Sequence, residues 1–289
     1  MGKLFSFQSL TDSIENPFES AESVEKRSQK QGDLDTMTPS LSNEASTVRP
    51  FLRTKLYIPT PRPDLVPRAR LIARLDDGLR LGRRLTLVSA PAGSGKTMLL
   101  AEWAHGVPAQ PLGASPSAQI AWLSLDVDDN DPTRFLAYLI AAIEQQLPGI
   151  GADVHALHQA HQPPAMKTQF TVLINNLTAI PDNSVLILDD YHVIEQQAIH
   201  DAVSFLLEHL PPNLHLIIAS RTDPPLPLPR LRARRQITEI RASDLRFTHE
   251  EAARFLVDVL FVGDALKDEP EATREQAFAD LRELLEPYT

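Results

Sequence analysis

The sequence predicts an α/β fold: a parallel, helix-covered sheet with a disordered N-terminal tail and a short C-terminal helical segment. Three observations predict it. Short apolar runs of strand type alternate with segments of helical period between about residues 70 and 245, the pattern of crossover-connected strands buried on both faces. One run, Leu85–Ser89, feeds straight into a glycine loop and a helix-forming segment. Another, Ser184–Leu188, is built of branched residues and ends in two carboxylates, Asp189 and Asp190.

The elements follow in order. Residues 1–49 are rich in Ser, Glu, Gln, Asn and Thr, a mix that cannot bury enough apolar surface to offset its chain entropy, and are expected to be disordered. Pro59, Pro61, Pro63 and Pro67 punctuate an extended approach, after which Leu71, Leu75 and Leu79 repeat at helical spacing. Leu85–Ser89 is the first strand, and Met98–Ala104 is mostly strong helix formers. A Pro/Gly/Ser interval over 107–119 marks a surface connection.

Ile120–Leu125 reads as a second strand. Asp131 before Pro132 is a helix cap with proline in the first turn, and Phe135, Leu136, Leu139, Ile140 and Ile143 line one face of the helix that follows. Ser184–Asp190 is the third strand, Leu214–Ala219 the fourth and Ile237–Ile240 a short fifth. Pro224–Pro229 and the basic cluster Arg230, Arg232, Arg234 and Arg235 are expected to form a loop beside the sheet edge. Thr248–Glu251 is a capping box ahead of an apolar stripe of Ala252, Phe255, Leu256, Val259 and Leu260. A last helix is expected at about 271–286. The implied division is a tail over 1–49, an α/β domain over 50–245 and a helical segment over 246–289.

Composition narrows the function classes. The chain has 289 residues, 43% of them hydrophobic, no cysteine and a net charge of −10. Disulfides and thiolate metal sites are excluded. The charge argues against a protein dominated by non-specific nucleic-acid binding. No apolar run is long enough to span a bilayer and no secretory leader is visible, so a cytoplasmic protein is expected. His155, His158 and His161 fall three apart, but helical rotation carries the third round the axis and no carboxylate completes a metal set, so they read as surface histidines.

The loop after the first strand is Ala90-Pro91-Ala92-Gly93-Ser94-Gly95-Lys96-Thr97. In a G-x-x-x-x-G-K-[ST] loop, successive backbone N–H groups curl round phosphates and the following helix points its positive end at them. Lys96 adds a point charge and Thr97 offers a hydroxyl to magnesium. Ala90 replaces the first glycine, which narrows the permitted backbone angles at the strand exit. Asp189, beside such a loop, would reach the magnesium ion, and Asp190, facing the other way along extended chain, could polarise an attacking water. Ligands of parallel sheets gather at the carboxyl ends of strands, which brings Arg221 into range. Two readings of Arg221 stand: a γ-phosphate sensor, or a strand-end arginine paired at the surface. The whole predicts a P-loop NTPase that binds ATP or ADP with Mg2+.

Lys55–Pro59, Val66-Pro67-Arg68, the Ala90–Thr97 loop, Trp122–Asp126, Leu188–His192, Ser220-Arg221 and Asp244–Thr248, in this order, resemble the ATPase domain of MalT-type regulators, LuxR-family activators within the STAND class of signalling ATPases. The resemblance covers about residues 51–257. It implies an ADP-bound resting state, an ATP-bound state that self-associates or engages a protein partner, and slow hydrolysis that resets the switch. It assigns Gly93, Gly95, Lys96 and Thr97 to phosphates and magnesium, Asp189 and Asp190 to the acid pair, Arg221 to the sensor, and Val66, Pro67 and Arg68 to the neighbourhood of the adenine. Past about Val257 the sequence follows none of the family's lid, sensor array or helix-turn-helix reader, so direct DNA binding by this chain alone is not expected. Two function classes follow: a switch with weak ATP hydrolysis, or a non-hydrolysing, nucleotide-bound interaction domain.

Overall fold

The computed structural model describes residues 52–62, 65–106, 118–158, 164–181 and 183–255. The tail over 1–49, Pro63, residues 107–117 of the expected connection, His161, the His158 side chain, Leu256, Val259, Leu260 and the helix expected at about 271–286 lie outside the described residues.

A short 3-10 turn, Arg53–Leu56, precedes α1 (Ala69–Arg80), β1 (Leu85–Ser89), α2 (Lys96–Gly106) and β2 (Gln119–Ser124). Then come α3 (Pro132–Glu144), α4 (Ala152–His158), α5 (Met166–Thr178), β3 (Ser184–Asp189) and α6 (Gln197–Glu208). β4 (Leu214–Ser220), α7 (Leu228–Ala233), β5 (Ile237–Arg241) and α8 (His249–Phe255) complete the described chain. The strands form one sheet in the order β2-β3-β4-β1-β5, and every neighbouring pair runs parallel. All five expected strands are therefore present, and their carboxyl ends share one rim.

Side chains alternate between the faces of a strand, and this alternation sorts the core into two layers. Leu85, Leu87, Leu123, Leu186, Leu188, Leu216 and Ile218 point to one layer, where α3, α5, α6 and α7 contribute Phe135, Phe170, Val203 and Leu231. Val88, Trp122, Val185, Ile187, Ile217 and Ala219 point to the other, against Leu71 and Leu75 of α1 and Leu99, Leu100 and Trp103 of α2. Each such side chain withdrawn from water contributes roughly 1.5–3 kcal/mol, and nearly all of β1, β3 and β4 is buried on both faces. That is why these strands read as unbroken apolar runs.

The helix starts follow local chemistry. The Asp131 side chain accepts from the Arg134 N–H at 2.8 Å, with Pro132 in the first turn of α3. At α8, the Glu251 N–H donates to Thr248 Oγ1 while Glu251 Oε2 accepts from the Thr248 N–H, the reciprocal box expected there.

One expectation fails. The segment from Pro224 to Arg235 is not all loop, because α7 begins at Leu228 with Pro229 in its first turn, the place where proline's missing N–H is harmless. Leu228 and Leu231 are buried in the core. Nor is its basic cluster simply solvated: Arg230 pairs with Glu208, and Arg232 pairs with Glu239 at 2.9 Å and Asp223 at 3.4 Å.

Before the sheet, Lys55 is buried beside Asp129, which it contacts directly, with Asp126 at 3.0 Å and the Tyr138 ring centroid 4.5 Å from its ammonium. Arg134 reaches the same Asp129 at 3.2 Å. This cluster binds the approach segment to the turn after β2, next to the rim where the strands end.

Candidate functional site

β1 delivers its chain into the loop at Ala90, which is buried. Gly93 and Gly95 take φ of 77° and 79°, a left-handed region that costs other residues about 1–2 kcal/mol. A Cβ at either would meet nothing within 4 Å, so the backbone angle, not space, calls for glycine. Ala90 is absent from the left-handed residues. Its position in place of the pattern's first glycine therefore demands no special angle.

α2 starts at Lys96, which puts the end of the helix with free N–H groups against the loop. Among its first residues, Lys96 donates to the carbonyls of Ala90 at 2.9 Å and Pro91 at 3.0 Å. Ser94 Oγ donates to the Pro91 carbonyl at 2.7 Å. Burial lowers the Lys96 pKa, opposed by the nearby Asp190 and Asp189 charges. The ammonium is thus held inside the curl of the loop by weakly basic carbonyl partners, which anionic oxygens can displace.

The next residue is Thr97, whose hydroxyl donates to Asp189 Oδ2 at 2.9 Å. Asp189, the last residue of β3, is almost fully buried. Its other oxygen accepts from the Asp190 N–H at 3.0 Å. Burial, and then the adjacent Asp190 charge, push the Asp189 pKa up to about 6. The strain of holding two carboxylates together makes a cation the natural complement of this corner.

Asp190 departs from the expected geometry. It does not continue the strand with its side chain reversed: the backbone turns left-handed at once, with φ 56° and ψ 34°, so period-2 alternation ends at Asp189. Asp tolerates this region because its short side chain is compatible with it. The turn swings Asp190 Oδ1 to 3.7 Å from His192 Nδ1. Arg221 stands exposed one residue past β4, and its charge acts on both Lys96 and His192. The site's candidates Lys96, Thr97, Asp189, Asp190 and Arg221 therefore gather at one rim.

A pocket of about 470 Å³ opens beside the loop, lined by Gly93, Gly95, Met98, Glu102, Val66 and Arg68 among others. Val66 and Arg68 line it, whereas Pro67 faces a neighbouring recess with Arg70 and Glu251. Arg68 donates to the carbonyls of Leu245 at 2.5 Å and Arg246 at 3.1 Å, and its guanidinium lies 4.9 Å from the Phe247 ring centroid. Glu102, six residues after Lys96 on α2, keeps one oxygen buried without a hydrogen-bond partner, and burial raises its pKa. Glu102 carries no motif of its own, and only its spacing from Lys96 could have drawn attention to it; His192 closes the Leu188–His192 segment of the resemblance, which gave it no role.

Among the described residues no cluster of His, Asp and Glu is placed to hold a metal ion; His161 and the His158 side chain lie outside them. His155 pairs with Glu144 at 3.1 Å, a carboxylate eleven residues upstream that folding, not local sequence, brings to it.

The NACHT domain family matches residues 84–260, more than half of the chain. The chain belongs to the NACHT family. The NACHT chain is also similar to the HTH-type transcriptional regulators MalT of Serratia proteamaculans, at 41% identity over 205 residues, and Cronobacter sakazakii, at 39% over 205 residues. Each alignment covers 71% of this chain and 21% of the relative. The chain spans about a fifth of the length of the curated relatives it matches. The resemblance to the ATPase domain of MalT-type regulators therefore holds, and the NACHT chain is a P-loop NTPase domain of that kind. Among solved structures, it is similar to Cdc6p from Pyrobaculum aerophilum, with TM-score 0.45, 16% identity and coverage of 68% of this chain and 51% of that one. The Walker-type ATPase PABY2304 of Pyrococcus abyssi gives TM-score 0.43 and 14% identity, covering 75% and 64%. These scores add nothing to the fold, which rests on the sheet order and the loop.

Among the described residues, no helix is long and apolar enough to cross a membrane.

Proposed function

We propose that this chain is an ATP-binding signalling switch module that hydrolyses Mg-ATP slowly and signals through self-association or a protein partner. Loop residues Ala90, Pro91, Ala92, Gly93, Ser94 and Gly95 wrap the phosphates with main-chain N–H groups, and Lys96 exchanges its two carbonyl partners for phosphate oxygens. Asp190 orients the attacking water, Arg221 meets the γ-phosphate, and the Val66–Arg68 segment borders the base. The observation that carries the reading is the bond from Thr97 to Asp189, which joins the loop to the acid strand.

The corner fits magnesium: a hydroxyl and a buried carboxylate are hard oxygen donors, and the charge crowding at Asp189 favours a cation. Bound there, the ion would neutralise charge developing on the phosphates. The net charge of −10 supports protein partners over direct DNA contact by this chain alone.

Losing a charge-assisted phosphate contact costs about 1.5–3 kcal/mol. In calorimetry, Lys96→Ala is therefore expected to bind Mg-ATP and Mg-ADP roughly tenfold to a hundredfold more weakly than the parent. Equal affinity in parent and variant would show that the loop does not hold phosphate. Nucleotide binding with phosphate release no faster than in buffer would favour the non-hydrolysing interaction domain instead.

A further inference from the structure

Buried polar atoms in folded proteins almost always have partners, and an exception marks a place where something else binds. His192 Nδ1 is such an exception: the atom is buried and has no hydrogen-bond partner among the described residues. Its side chain is only 15% exposed. Asp190 Oδ1 lies 3.7 Å away, too far for a direct hydrogen bond and close enough for a single oxygen atom to lie within reach of both.

The turn that carries His192 is fixed from both sides. Tyr191, next to it, is buried with its hydroxyl 3.0 Å from His200 Nδ1. The Val193 carbonyl accepts from Asn130 Nδ2 at 2.7 Å, and Asn130 Oδ1 accepts in turn from the Glu195 and Gln196 N–H groups. The imidazole is therefore preorganised rather than free to swing. Burial, then the positive charge of Arg221, lower its pKa, opposed by the Asp190 carboxylate; in the neutral tautomer with the proton on Nε2, Nδ1 is an acceptor.

We propose that His192 is a catalytic residue whose Nδ1, together with the Asp190 carboxylate, holds the water that attacks the γ-phosphorus. This rests on the ATPase reading above. The water donates one hydrogen to each group, which leaves its lone pair directed outward. Its oxygen bonds to the γ-phosphorus as the bond to the β–γ bridging oxygen breaks, and that electron pair leaves on ADP. One water proton passes to Asp190 and then to solvent. The other stays on the hydroxyl that becomes part of inorganic phosphate.

The test uses the full chain, steady-state phosphate release from Mg-ATP, and calorimetry with Mg-ATP and Mg-ADP. His192→Leu is expected to lower kcat roughly tenfold to a hundredfold, within the range for a group that handles the attacking water, with nucleotide affinity within threefold of the parent. His192→Asn places an amide oxygen near the position of Nδ1 and is expected to recover most of that rate. His192→Gln, whose amide lies one bond further out, is not. In the Asp190→Asn background, adding His192→Leu is expected to change kcat by less than threefold, since both groups serve one water. A merely structural role would give neither the Asn rescue nor this non-additivity. A parent that hydrolyses ATP while His192→Leu keeps its full rate overturns this inference alone. A parent that binds Mg-ATP and releases no phosphate overturns it together with the hydrolytic half of the proposed function.

Discussion

The Thr97 hydroxyl and the Asp189 carboxylate lie 92 residues apart in sequence and share a hydrogen bond of 2.9 Å. The first lies in the opening turn of α2, which follows β1, and the second closes β3; β4 stands between β1 and β3 in the sheet. The bond fixes how far the phosphate loop stands from the acid pair, so it sets the geometry of the whole rim.

Thr97→Val keeps the side-chain shape and deletes the hydroxyl. Mg-ATP affinity is expected to fall about tenfold, equivalent to roughly 1.4 kcal/mol, while ATP in excess chelator binds parent and variant alike. Titration calorimetry with and without magnesium distinguishes this from a general loosening of the site, which would weaken both.

Asp190→Asn removes the carboxylate charge and keeps a residue at ease in the left-handed region. Phosphate release is expected to fall about a hundredfold, with nucleotide affinity and melting temperature near those of the parent. Asp190→Val adds a β-branched side chain at φ 56° and is expected to lose about a further 1–2 kcal/mol of stability, measured by urea unfolding.

His215, at the start of β4, is buried between Thr86 Oγ1 at 2.9 Å and the Arg83 carbonyl at 2.6 Å. Burial pushes its pKa from 6.5 down to about 4. Between those values the unfolded chain takes up a proton that the folded chain refuses, so this residue's contribution to stability rises with pH across the window and is lost as pH falls. The full swing is about 3 kcal/mol. Asp189 acts oppositely, because its carboxyl keeps a proton up to about pH 6 in the fold. Comparing the parent with His215→Asn cancels that share: the gap in unfolding free energy is expected to widen from pH 4 to pH 6.5, and a constant gap would refute the assignment.

Lys55→Ala strands Asp129, which is fully buried and left with Arg134. Removing one member of a buried pair is expected to cost about 3 kcal/mol, read as a lower urea midpoint. A midpoint equal to the parent's would mean that the approach segment contributes little to holding the turn after β2.

The sequence made β1, the loop and α2 legible because the loop's chemistry is local: glycine angles, an ammonium and a hydroxyl within five residues. β1, β3 and β4 were equally plain, since burial on both faces leaves no polar alternation to confuse them. Asp190 was harder, because the same residue type tolerates extended and left-handed backbone, and only the chain beyond it decides. The start of α7 was hidden by Pro224, Pro225, Pro227 and Pro229, which read as helix-breaking although the last of them sits where a helix accepts proline. Lys55 with Asp129, 74 residues apart, and His155 with Glu144 left no mark in sequence at all, because pairs of this kind are made by folding and have no periodic signature.

Arg68 belongs both to the wall of the pocket beside the loop and to the fastening of the segment after β5, through the Leu245 and Arg246 carbonyls and Glu251 at 3.5 Å. It therefore works as a latch shared by the entrance and exit of the described domain. A ligand in that pocket that drew the guanidinium toward itself would do so at the expense of the Leu245 and Arg246 carbonyls and of Glu251 at the start of α8.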